Sequence, residues 1–226
     1  MRVLRGRATD ATADRRATRA LLEDVVERHE PAIRVWRPHR HVAFGRRDTH
    51  RDGYEAARAA AKAHGFPPHE RRVGGRAVAY TGTTVSFVRC EPVDDPRSGI
   101  ERRFERTVSE LSVALEQIGV EATPGEPPSA FCPGDHSLSA IGKIVGVAQH
   151  VKRGAATVGG VVVVDDHERI GDVLADVYDA LELPFDPDSV GSVARAEGET
   201  GAVRDAVEDA LVGERSARVE RIDTAP

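Results

Sequence analysis

The sequence predicts an α+β domain with a mainly antiparallel sheet, and three observations carry that expectation. Strand-like and helix-like stretches are mixed along the chain, the order expected of α+β rather than of separated layers. Two apolar runs, "LSAIGKIVGVAQHV" at 138–151 and "AATVGGVVVVDD" at 155–166, are separated by the polar turn "KRG", the pattern of adjacent antiparallel strands. The stretch 100–120 is a clear amphipathic helix, with Phe104, Val108, Leu111 and Leu115 on one side and Gly119 at its end.

The remaining elements follow in order. Residues 14–30 place Ala17, Ala20, Leu21, Val25 and Val26 on a helical stripe that stops before Pro31. "AIRVWRP" and "HVAFGR" read as short strands, and "GYEAARAAAKAHG" as an alanine-rich helix closed by Gly65. In "HERRVGGRAVAYTGTTVSFVRC" the flanks alternate like strands, and a Gly-Gly pair interrupts them where a ligand could meet the backbone. Stretches 169–184 and 200–214 are further helices. With 226 residues the chain holds one sizeable core, so a single domain is expected over 1–226, its core at about 14–195 and a helical tail at about 196–226.

Composition narrows the class of function. A formal net charge of −5 argues against general nucleic-acid binding and leaves small anions or an acidic partner meeting a local patch. No apolar run is long enough to cross a bilayer, and the N-terminal segment lacks the apolar core of a signal peptide, so a cytoplasmic protein without membrane partners is expected. In that reducing setting Cys90 and Cys132 are not expected to pair, and without clustered histidines they make a poor metal site.

Five places could carry chemistry. A lone cysteine such as Cys132 is commonly a buried small hydrophobe, but Pro133 and Gly134 put it in a turn, and a cation such as Lys143 would favour the nucleophilic thiolate. Cys90 ends a strand-like run without such company and is read as structural. Lys143, one of three lysines, lies in an apolar strand, where it must either point outward or meet an anion. In a groove it could neutralise a carboxylate or phosphate, or polarise a carbonyl during acyl transfer. "ERRVGGRAV" sets Gly74 and Gly75 among Arg71, Arg72 and Arg76; it is an ordinary turn or an anion-accepting loop, and it matches neither a Walker loop nor GxGxxG. His136 could be a base for Cys132 or a surface-turn histidine, and "DDH" at 165–167 reads as a solvated turn and helix cap.

Together these segments resemble the superfamily of lipoate-protein ligases, octanoyltransferases and biotin ligases over roughly residues 30 to 195. "HVAFGRRDT" is similar to its early strand ending in Gly-Arg, "RRVGGRAV" to its arginine-plus-glycine loop, and "GKIVGVAQ" to its "K-I-x-G-x-A-Q" strand, whose lysine matches Lys143. "FCPGDHSLSAIGK" and "LPFDPDSVGSV" are most similar to the cysteine-dependent amidotransferases, in which the matching cysteine forms an acyl thioester. The resemblance implies a class II biotin/lipoate ligase-like fold, with mainly antiparallel mixed sheets flanked by helices. It also implies Cys132 and Lys143 as catalytic residues, with Arg71, Gly74, Gly75, Arg76, Ala77, Gly146 and Gln149 binding substrate and no metal site. The chain departs from the pattern in Val73, where Ser or Thr is usual, in Arg76, where a third glycine is common, and in lacking histidines in "TVGGVVVV".

The function so implied is transfer of an octanoyl or lipoyl group from a carrier to the lysine of a lipoyl domain through a Cys132 thioester, without a cofactor. The partners would be lipoyl domains of 2-oxoacid dehydrogenase complexes and the glycine cleavage H protein. One rival is an ATP- and Mg-dependent lipoate-protein ligase holding an acyl-adenylate with Arg71, Gly74, Gly75 and Lys143; the chain after residue 195 has no room for the usual accessory domain, which a separate subunit could supply. The other is a non-catalytic acyl- or lipoyl-binding protein.

Overall fold

Eight strands form one mixed sheet in a computed structural model that describes residues 1–71 and 74–222. Arg72 and Val73, singled out in the sequence, lie outside the described residues. The elements run β1 (Arg2–Arg5), α1 (Ala11–Arg28), β2 (Ala32–Trp36), β3 (His41–Phe44), α2 (Tyr54–Ala63), β4 (Pro68–Glu70), β5 (Val78–Tyr80), β6 (Val85–Val93) and α3 (Ile100–Gln117). They continue with β7 (Thr123–Pro124), β8 (Ser137–Ala140), β9 (Gly142–Lys152), β10 (Gly154–Val162), α4 (His167–Ala180), a 3-10 turn (Pro187–Ser189), α5 (Val203–Val212) and β11 (Arg218–Arg221).

The large sheet has the order β11-β1-β2-β6-β10-β9-β8-β7, and a small sheet has the order β4-β3-β5. From β2 to β7 every pairing is antiparallel, while β11, β1 and β2 are parallel. Alternation decides which side each strand residue serves. Val85 and Phe87 of β6 pack with Leu111 and Leu115 of α3 and Val203, Val207 and Leu211 of α5. Val88 and Cys90 face Leu21 and Val25 of α1. A second core joins α2, α4 and the small sheet through Tyr54, Ala57, Phe44, Val173, Val177 and Tyr178.

The pair of long strands expected around "KRG" is β9 and β10, turned by Arg153 and Gly154. Other boundaries differ. The run 138–151, read as one strand, doubles back at Ile141 into the antiparallel hairpin β8–β9, with Gly142 at φ 80°. Unbroken apolar character hides such a reversal from a reading by period. Helix α1 starts at Ala11 because the Asp10 carboxylate accepts from the Ala13 N–H at 2.8 Å, a cap that the apolar stripe does not announce. The helical tail expected after residue 196 contains α5, which is part of the main core, and then strand β11.

The slip in register between Leu138, opposite Val145, and Ser139, opposite Lys143, takes up one extra residue of β9. Ile144 and Val145 therefore both enter the core beneath α3. Lys143 turns to the other face, where its Cε lies 3.5 Å from the position a Cβ on Gly146 would occupy.

A buried ion pair fastens α1 to the sheet. Arg34 of β2 is fully buried, and its guanidinium donates to the Asp14 carboxylate, to the carbonyls of Asp14 and Gly6, and to the Thr18 hydroxyl. Asp14→Ala would leave that guanidinium uncompensated and should cost about 3–5 kcal/mol, read from the urea midpoint, whereas Asp14→Ala with Arg34→Met should recover most of the loss. Equal midpoints for Asp14→Ala and the wild type would show that the pair does not anchor the helix.

Candidate active site

The loop between β7 and β8 brings Cys132 to the edge of the second core, with the cysteine in left-handed backbone geometry at φ 43°. Two neighbours fix its peptide groups. The Cys132 N–H donates to the Tyr178 hydroxyl at 2.6 Å, and that hydroxyl donates to the Ala77 carbonyl at 3.1 Å. The Lys143 ammonium donates to the carbonyls of Phe131 and Cys132, each at 3.0 Å. Burial pushes the Tyr178 pKa up, which keeps the phenol protonated and able to bridge the two segments.

Lys143 is 1% exposed, which removes the outward-pointing reading of this residue. Its third partner is Glu126, whose Oε2 accepts at 2.6 Å. Glu126 also accepts from the Ser137 hydroxyl at 2.8 Å and from the Gly134 N–H at 2.9 Å. An ammonium has three protons. All three are engaged by one loop, and the Phe131 ring lies 5.0 Å from Nζ.

The Cys132 sulfur faces the glycine loop. It accepts from Arg71 Nη2 at 3.4 Å and from the Arg76 N–H at 3.3 Å. Burial opposes the charge of Arg71, but the nearby Cys132, Tyr80 and Asp48 outweigh it, and the net shift of its pKa is upward. Gly75, at φ 88°, passes so close that a Cβ there would sit 2.8 Å from the sulfur and 2.8 Å from Arg71 Nη2. Gly45 supports the loop from behind, since a Cβ on it would fall 1.9 Å from the Gly75 carbonyl oxygen. Asp48, fully buried, accepts from the Gly45 N–H at 3.0 Å and from Arg76 Nη1 at 3.3 Å. Burial raises the Asp48 pKa, and these donors oppose the shift.

Cys132, Lys143, Arg71, Gly75, Arg76 and Ala77 thus converge, and Gly146 makes room for the lysine stem. Gly74 is exposed on the rim of an adjoining cleft of about 630 Å3. Gln149, expected to bind substrate, lies apart from them: its carbonyl accepts from Arg103 Nε and its amide donates to the Ile100 carbonyl, so its polar groups are engaged with α3. Three residues after Gly146 on a strand, it points to the opposite face. Glu126 and Tyr178 were not singled out in the sequence, and Gly45 and Asp48 figured there only as parts of the "HVAFGRRDT" strand. Glu126 and Tyr178 lie in a turn-rich segment and a helical stripe, and only three-dimensional proximity gives them away.

Other candidates fall elsewhere. His136 stacks on Phe104 of α3, ring centroids 3.8 Å apart, and makes no hydrogen bond to Cys132. Cys90 is buried on β6, and burial pushes its thiol up to about 11, consistent with a structural role. Asp166 stands at the N-cap position of α4 but accepts from Thr83. Among the described residues no helix is long and apolar enough to cross a membrane.

The same architecture occurs in a bipartite lipoate-protein ligase from Thermoplasma acidophilum, described with its E2 lipoyl domain, at TM-score 0.70 and 19% identity over 98% of this chain and 86% of that one. It also occurs in a lipoate-protein ligase A bound with ATP, at TM-score 0.72 and 21% identity over 97% and 88%. Among curated proteins, an octanoyl-GcvH:protein N-octanoyltransferase of Geobacillus kaustophilus is 25% identical over 57% of this chain, and one of Exiguobacterium sibiricum 29% identical over 56%. In both cases the match covers 46% of the relative, so the chain spans about half the length of the curated relatives it matches. The profile of the lipoyl protein ligase A/B catalytic domain matches residues 10–210, and the chain belongs to that family.

Proposed function

We propose that this chain is an acyltransferase of lipoate metabolism that moves an octanoyl or lipoyl group from a carrier to the lysine of a lipoyl domain through a thioester on Cys132. The observation that supports this most is the setting of the sulfur: two donors, the Arg71 guanidinium and the Arg76 amide, point at it, while the cysteine's own N–H and carbonyl are held by Tyr178 and Lys143. A cysteine kept only for packing needs none of this, as Cys90 illustrates.

The sulfur attacks the carbonyl carbon of the acylated lysine on the donor carrier. The C–N bond breaks, the proton from the thiol leaves with the departing amine, and a thioester remains. The amine of the acceptor lysine then attacks the thioester, the C–S bond breaks and the thiol is restored. One poor displacement becomes two easier ones, and no nucleotide is consumed. Gly75 gives the acyl carbonyl access to the sulfur. Lys143 holds the thiol turn through two carbonyls, and Glu126 is its one side-chain acceptor, the one an incoming carbonyl oxygen can replace without unfolding the turn.

Incubation with an octanoylated carrier in the absence of ATP should add an octanoyl mass to the protein. The adduct should vanish in Cys132→Ala and persist in Cys90→Ala, as seen by intact mass and peptide mapping. Modification of a lipoyl domain only when ATP, Mg2+ and free lipoate are supplied would replace this reading with an adenylate-forming ligase.

Lys143→Ala should slow Cys132 acylation by roughly a hundredfold or more, on the scale of losing one preorganised donor. It should also lower the unfolding midpoint, because Glu126 and two carbonyls lose their partner. Lys143→Arg should restore little, since a planar fork cannot reproduce three converging bonds from one nitrogen. Wild-type acylation rates in Lys143→Ala would remove the lysine from the mechanism.

A further inference from the structure

The cleft of about 630 Å3 beside the thiol is lined by Arg46, Arg47, His50, Arg51, Gly74, Arg76 and His150, none of them acidic. Its floor and its rim differ. Arg76 is tied to buried Asp48, and Arg51 donates to the Leu181 and Glu182 carbonyls at 2.6 and 3.3 Å, so both serve the fold. Arg46 and Arg47, exposed in the turn after β3, make no ion pair among the described residues, although the chain carries five more negative than positive charges. His50 Nδ1 lies 2.7 Å from the Arg46 carbonyl and braces that turn.

We infer that this cleft seats an acidic protein surface, the face of the carrier domain around its acylated lysine, with Arg46 and Arg47 as the recognition residues. The inference rests on the acyl-transfer reading above, because Gly74 and Arg76 join the cleft to the sulfur that would receive the acyl group. A small phosphate is best held by converging backbone N–H groups and buried donors. Long, hydrated guanidiniums on an open rim instead suit steering and orientation of a charged surface. A net charge of −5 gives an acidic domain little general attraction, so the patch beside the thiol favours the approach that presents the lysine to Cys132.

Docking can be read without turnover by calorimetry of an octanoylated acidic carrier domain binding to Cys132→Ala protein. Adding Arg46→Glu and Arg47→Glu should weaken binding by about tenfold or more at low salt and flatten its salt dependence. Reversing acidic residues beside the carrier's lysine should restore it. In the background with Cys132 intact, acylation by octanoyl-N-acetylcysteamine, a small thioester that does not need the rim, should keep its wild-type rate in the double variant. Unchanged carrier binding in the double variant overturns the inference, as does loss of ATP binding in equilibrium dialysis with carrier binding intact. Failure of Cys132 to acylate with any donor, while the arginines still govern carrier binding, would count against the acyl-transfer reading alone.

Discussion

A buried ammonium must find acceptors for three protons, and Lys143 finds all of them within residues 126–132. That one requirement organises the site. The lysine comes from the start of β9, a strand paired on both sides in the large sheet, and the groups it satisfies come from an irregular loop, so the loop inherits its position from the strand. Glu126 shares its carboxylate with Ser137 and Gly134, which extends the constraint to both ends of the thiol turn. Tyr178 does the same from α4, linking the Cys132 amide to the Ala77 carbonyl across two further segments.

The sheet supplies the direction of that lysine through one irregularity. Strict alternation from Val145 would send Lys143 into the apolar core beneath α3, where its charge would have no partner. The extra residue on β9 sends Ile144 there instead and frees Lys143 for the opposite face. On that face Gly146 leaves the space for its stem, and Gly45 and Gly75 let two loops meet at van der Waals distance above the sulfur. The glycines and the bulge are thus answers to the same problem, bringing a charged side chain, a thiol and a backbone loop into a volume that side chains would otherwise fill.

Much of this was legible in the chain because the residues concerned are rare or conformationally special. Cys132 beside Pro-Gly, a lysine in an apolar strand, and Gly74-Gly75 between arginines all stand out locally, and the five helical expectations and the strand-pair expectation correspond to α1, α2, α3, α4, α5 and the β9–β10 pair. What stayed hidden depends on contacts between distant segments. Nothing local marks Glu126 as the partner of Lys143, or Tyr178 as the link between Cys132 and Ala77, and the terminal strands β1 and β11 exist only because they pair with each other and with β2. Gln149 is the reverse case: its place in a motif suggested the site, and strand parity carries it to Arg103 on the other face.

The cysteine itself shows where the molecule accepts local strain. A non-glycine residue at positive φ costs on the order of 1–2 kcal/mol, and Cys132 adopts φ 43°. Hydrogen bonds from Lys143 and to Tyr178 can offset a cost of that size, since each contributes about 1 kcal/mol and the charged donor more. In extended geometry the same residue would lose either its bond to Tyr178 or the approach of its sulfur to the Arg76 amide. The strain therefore marks the point at which two anchored segments, one from the sheet and one from α4, demand a single orientation of the thiol, and that orientation places the sulfur against the glycine loop.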